Sequence, residues 1–254
     1  DPFPPKPVNT IKALLCVVLL LATCREVISF FSAPSTKREY FESQKLKSSR
    51  QMSNTNCVVL WFRNDLRLLD NYIVQEAVRR HTGNKQTQIV PVYCIDPRHF
   101  VQTKYNAAKT GPYRAQFMMQ CLDDLKSQLR SIGSDLLLFH DKPENILPKF
   151  MLDHGSTMVL AQQEVCSEEL SVERKVRSAI QPLGGRLEVV WGATLYHLQD
   201  LPFKADLANM PDVFTPFKDK CEQLCKVRPT APAPRAGQLG SLPAAVLGLG
   251  GLLP

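Results

Sequence analysis

The sequence predicts an α/β fold, a five-stranded parallel sheet with helices on both faces. Three observations predict it. From Cys57 onward the apolar pattern switches five times between short continuous runs and helical spacing, the signature of strands alternating with crossover helices. The runs are continuous and rich in β-branched and aromatic residues, as strands buried on both faces require. An apolar content of 44% across 254 residues supplies enough side chains for a packed core.

The first strand is Cys57 to Phe62, CVVLWF. Arg63, Asn64, Asp65 and Arg67 crowd charge at its C-terminal end. Asp70 stands where it can cap a helix whose apolar face is Ile73, Val74, Ala77 and Val78. The second strand is expected at Ile89 to Ile95 and the third at Leu136 to Phe139. Between them Tyr113, Phe117, Met118, Cys121, Leu122, Leu125, Leu129 and Ile132 recur at helical intervals, and all are expected in the core. Gly111 and Pro112 open that helix and Gly133 closes it. Pro143 to His154 forms a third helix, Met158 to Ala161 a fourth strand, and Ser167 to Ile180 a fourth helix with Val172, Val176, Ala179 and Ile180 inward. Leu187 to Trp191 is the fifth strand, and a short helix is expected around Pro216 to Cys225. The tail from Val227 is rich in Pro and small residues and reads as an extended linker or surface-wrapping segment. The domain is thus expected to span residues 56–226 and the linker residues 227–254.

Residues 1–55 read differently. ALLCVVLLLA at 13–22 is an apolar block too short to span a bilayer, so no stable membrane insertion is expected. It has the size of a signal-peptide core, and the Ser-rich basic stretch after it has the look of an organelle transit peptide. Together they suggest a plastid presequence. Met52 offers the alternative of a cytoplasmic or nuclear form starting there, with the preceding residues translated upstream sequence. This region also carries much of the charge. Residues 1–52 hold eight Lys/Arg against four Asp/Glu, so of the net +7 only +3 remains for the other 202 residues. That is too mild a balance to argue nucleic-acid binding by charge alone. The eight cysteines are scattered without a CxxC pair, which argues against zinc and against a disulfide framework and for reduced thiols.

An open parallel sheet binds ligands outside the carboxyl ends of its strands, where the strand order reverses. The loops after strands one, two and four supply Arg63, Asn64 and Asp65, then Asp96, Pro97 and Arg98, then Gln162, Gln163 and Glu164. No GxGxxG follows strand one and no phosphate-binding P-loop occurs, so neither a dinucleotide nor a P-loop nucleotide is supported. Glu164 has two readings. It either caps the helix beginning near Ser167, or accepts hydrogen bonds from the amino and ring N–H groups of a pterin or flavin-like heterocycle. No catalytic triad, metal-ligand spacing or acid/base carboxylate pair is recognisable, so no catalytic residue is assigned.

Seven stretches resemble the photolyase/cryptochrome family, and its DASH branch in particular. They are VVLWFRNDLRLLDN from Val58, VPVYCIDPRHF from Val90, KTGPYRAQF from Lys109, GSDLLL from Gly133, EVCSEE from Glu164, WGATLYHLQDLPF from Trp191 and PDVFTPFKDKCE from Pro211, in order and at natural spacing. The resemblance implies a Rossmann-like antenna-binding domain followed by a linker to a helical FAD domain that this chain is expected to lack. It implies methenyltetrahydrofolate as antenna, with Glu164 matching the acid that contacts it and Arg63, Asn64 and Asp96 lining the same cleft. Gln162 departs from the family's usual histidine. The full-length parent would carry FAD, bind UV-damaged single-stranded DNA through the helical domain, repair cyclobutane pyrimidine dimers in light and respond to blue light. The fragment alone is expected to be inactive as a photolyase. The alternative, from the sheet pattern alone, is a stand-alone nucleotide-binding or interaction module.

Overall fold

Five parallel strands in the order β3-β2-β1-β4-β5 form the sheet of the computed structural model, which describes residues 56–204, 206–243 and 246. They are β1 (Cys57–Phe62), β2 (Gln88–Cys94), β3 (Leu137–Phe139), β4 (Ser156–Gln162) and β5 (Arg186–Val190). The helices are α1 (Tyr72–Gly83), α2 (Pro112–Ser131), α3 (Pro143–His154), α4 (Ser167–Ile180) and α5 (Phe214–Leu224). The expected presequence lies outside the described residues. Among the described residues no helix is long and apolar enough to cross a membrane.

The continuous apolar run of β1 is explained by its central place between β2 and β4. Because successive side chains alternate faces, Cys57, Val59 and Trp61 enter one core cluster with Leu147 and Phe150 of α3 and Val176 and Ile180 of α4. Val58, Leu60 and Phe62 enter the other, with Ile73, Val74 and Ala77 of α1 and Leu122, Leu125 and Leu129 of α2. Helices therefore cover both faces, as the sequence predicts.

Three expectations change. The cap of α1 is Asn71, not Asp70: Asn71 Oδ1 accepts the Ile73 and Val74 N–H groups at 3.1 and 3.4 Å. Asp70 instead takes a left-handed backbone with φ 54° and exchanges hydrogen bonds with Ala231, donating its N–H at 2.8 Å and accepting at Oδ1 at 3.2 Å. Second, Tyr113 and Phe117 are 87% and 66% exposed rather than core. The 20 residues of α2 make a rod of about 30 Å, while β3 beside it has three residues, so the first half of the helix runs past the sheet. Third, the tail, expected as a linker or surface-wrapping segment, supplies residues to the core. Leu239 joins the α1/α2 cluster and Leu242 and Val246 the α3/α4 cluster, so the segment passes from one face to the other. Gly237 N–H donates to Ile132 O at 3.0 Å along the way.

Candidate functional site

The chain runs from β1 outward through β2 to β3, then returns to lay β4 on the opposite side of β1. The order reverses between β1 and β4, and a crevice at that point is where open parallel sheets take ligands. Asn64 lies two residues past the end of β1, and Glu164 two past the end of β4. Adjacent strands in register deliver the two, 100 residues apart, to one rim. There Asn64 Nδ2 donates to Glu164 Oε1 at 3.0 Å. Glu164 Oε2 accepts from no protein donor among the described residues.

Glu164 does not cap α4. Cys166 occupies the N-cap position and no side chain caps the helix, which removes the helix-cap reading. Half-buried, the Glu164 carboxyl is pushed above the usual glutamate range by desolvation. The charge of Arg63 and the Asn64 hydrogen bond pull it down without cancelling that effect, and Glu169 and Glu173 add to it.

Arg63 is held by other groups. Its Nη1 meets Glu173 Oε1 at 2.5 Å, with the two side chains only 7% and 9% exposed. Its Nη2 donates to Glu169 O at 3.1 Å, and its guanidinium lies 4.7 Å from the Trp61 ring centroid. Asp96 is buried and caps the 3₁₀ turn Pro97–Phe100 by accepting the Arg98 N–H at 2.9 Å. Arg98 also bridges Asp96 and Glu144 at 2.5 and 2.8 Å. Burial alone would raise the Asp96 carboxyl, but these hydrogen bonds and the Arg98 charge outweigh it and hold the group below the usual aspartate range.

A cleft of about 140 Å³ opens beside these strand ends, lined among others by Trp61, Arg63, Asn64, Asp96, His99 and Lys175. Glu164 is outside that lining. The four residues singled out from sequence therefore divide: Asn64 and Glu164 form a bonded pair on the rim, Asp96 is locked in the cleft wall by Arg98, and Arg63 stands between them, tied to Glu173. Burial lowers the His99 imidazole below its ordinary range. Gln162 is buried at the end of β4, opposite Val190 of β5.

Sequence reasoning missed Glu173. The signal was present, because Glu173 stands three residues before Val176 and seven before Ile180, which puts its carboxylate on the inward stripe of α4. A charge on such a stripe needs a partner. Arg63 is that partner.

The sequence matches the DNA photolyase family model over residues 58–235. It is 42% identical over 201 residues to the chloroplastic/mitochondrial cryptochrome DASH of Ostreococcus tauri, covering 75% of this chain and 37% of the relative. To the Arabidopsis thaliana protein of the same name it is 42% identical over 215 residues, covering 80% and 37%. Among solved structures, a Synechocystis cryptochrome superposes with a TM-score of 0.67 at 36% identity, covering 74% of this chain and 37% of that one. The chain thus spans little more than a third of the length of these relatives.

Proposed function

This chain belongs to the DNA photolyase family, and from that premise we propose that its α/β domain is the antenna side of a DASH-type blue-light flavoprotein, with methenyltetrahydrofolate held at the rim between β1 and β4. The observation that carries the reading is the Asn64–Glu164 pair. A pterin presents an amino group and a ring N–H side by side, and a carboxylate with an oxygen left over accepts that pair. When bound, the folate absorbs near-ultraviolet light and passes excitation to a flavin. The residues of this chain supply position and orientation. Asn64 fixes the carboxylate in the rim, partial burial of Glu164 strengthens each hydrogen bond it accepts, and the sheet beneath holds both strand ends rigid.

For the whole protein we propose FAD as the photoactive cofactor and light-driven repair of cyclobutane pyrimidine dimers, chiefly in single-stranded DNA. Residence in the plastid is proposed on the names of the two plant and algal relatives and on the Ser-rich basic stretch before Met52. The central test is a titration of the purified chain with 5,10-methenyltetrahydrofolate, followed by its near-ultraviolet absorption and fluorescence. Saturable binding to the wild type, weakened in Glu164→Gln, is expected. Equal binding by both, with folding intact, would remove Glu164 from the site.

A further inference from the structure

Glu173 is a buried carboxylate with one contact to the Asn64–Glu164 pair, through the Glu164 backbone, and another to Arg63 beside it. Its Oε1 accepts from Arg63 Nη1 at 2.5 Å and from the backbone N–H of Glu164 at 3.3 Å. Arg63 in turn is within electrostatic reach of the Glu164 carboxylate. A guanidinium released from Glu173 would have Glu164 as a neighbouring acceptor of opposite charge, and an Arg–carboxylate pair would consume the acceptor positions a heterocycle needs.

We propose that Glu173 is a positioning residue for the antenna: it holds Arg63 away from Glu164 and anchors the Glu164 turn through its backbone N–H, leaving that carboxylate open to a heterocycle bearing paired N–H donors. The proposal rests on the folate reading for its ligand, but not for its geometry. The charged groups that bear on Glu164 are Arg63 from the β1 loop and Glu169 and Glu173 from α4. Removing Glu173 deletes one repulsive neighbour and releases the Nη1 end of the attractive one, which keeps its Glu169 and Trp61 contacts.

The experiment is a side-chain carbon NMR titration of Glu164 in the full chain, paired with a methenyltetrahydrofolate titration of the same samples. Three proteins are compared: wild type, Glu173→Gln, and the double variant Arg63→Met with Glu173→Met. In Glu173→Gln the Glu164 midpoint falls by about one unit or more as Arg63 pairs with it, and folate affinity drops roughly tenfold or more. In the double variant no cation remains to occupy Glu164. Its midpoint rises above that of wild type, and folate binds more tightly than to Glu173→Gln. Should the single variant fail to fold, Glu173→Asp takes its place: its shorter carboxylate releases Arg63 but keeps the charge, so a lowered Glu164 midpoint and weaker folate binding are expected there and an unchanged pair of values overturns the proposal. An unchanged Glu164 midpoint in the folded variants overturns the proposal whatever the folate does. A wild-type chain that takes up no folate, with midpoints moving as stated, overturns the folate reading and leaves the role of Glu173 toward Glu164 standing.

Discussion

Glu164 and Asp96 are both carboxylates just past the ends of parallel strands, and their surroundings push them in opposite directions. Glu164 has one side-chain donor, Asn64, so desolvation dominates and its carboxyl is raised. Asp96 is more buried but is enclosed by Arg98, so its carboxyl is lowered. A folate that donates to Glu164 needs the ionised form. As pH falls through the raised Glu164 value the carboxyl protonates and binding weakens, in a window lying above the ordinary glutamate value of about 4.3. Folate occupancy measured against pH is expected to show this decline in wild type and to lose it in Glu164→Gln. The same substitution removes a charge-assisted hydrogen bond worth about 1–3 kcal/mol, a loss of roughly 5- to 150-fold in affinity at any pH where Glu164 is ionised. Asp96 works through stability. Its favourable contribution is complete above the unfolded-state pKa and is lost as pH falls through the lower folded value. Arg98→Met leaves Asp96 and Glu144 without their shared cation and is expected to cost about 2–4 kcal/mol in urea unfolding near neutral pH. That cost should shrink in acid, as pH falls through the lowered Asp96 value.

At the level of elements, the spacing of apolar residues described which face of a helix turns inward but not how far along its length the sheet continues. The second half of α2 is buried through Leu122, Leu125 and Leu129 while Tyr113 and Phe117 stand in solvent, although all five share the same periodicity. The tail shows the converse case. Short apolar residues among prolines and glycines carry no period, yet Leu239, Leu242 and Val246 complete both cores. Two glycines there make a matched test. Gly237 and Gly240 both have positive φ, 75° and 72°, so alanine at either costs about 1 kcal/mol in backbone strain. A Cβ at Gly237 would meet open space, whereas one at Gly240 would lie 2.8 Å from His81 Cε1. His81 cannot swing aside without losing its 2.7 Å hydrogen bond between Nδ1 and Thr87 O. Gly240→Ala is therefore expected to destabilise by roughly 1–2 kcal/mol more than Gly237→Ala, measured as the difference between their urea denaturation curves.

For the whole molecule, the described residues past Val227 belong to the same compact unit as the sheet. Ending the chain after Lys226 would uncover Ala231's contact with Asp70 and the seats of three buried aliphatic side chains. Burial of those side chains favours the docked tail and the entropy of ordering the segment opposes it. A net loss of stability is expected, visible as a lowered thermal midpoint. An unchanged midpoint would show that the tail only rests on the surface. By itself the sequence determined the α/β class and the number of strands, because strands buried on both faces leave continuous apolar runs that alternate with the helical spacing of the crossover helices. The local motifs marked Glu164, Asn64, Arg63 and Asp96, but not which of them act together. Only the tertiary structure decided that, since it joins residues about 100 positions apart: it bonded Asn64 to Glu164 and gave Arg63 to Glu173, whereas Asp96 is taken by its near neighbour Arg98. The strand order alone placed β4 beside β1, and no local pattern encodes which strand ends become neighbours.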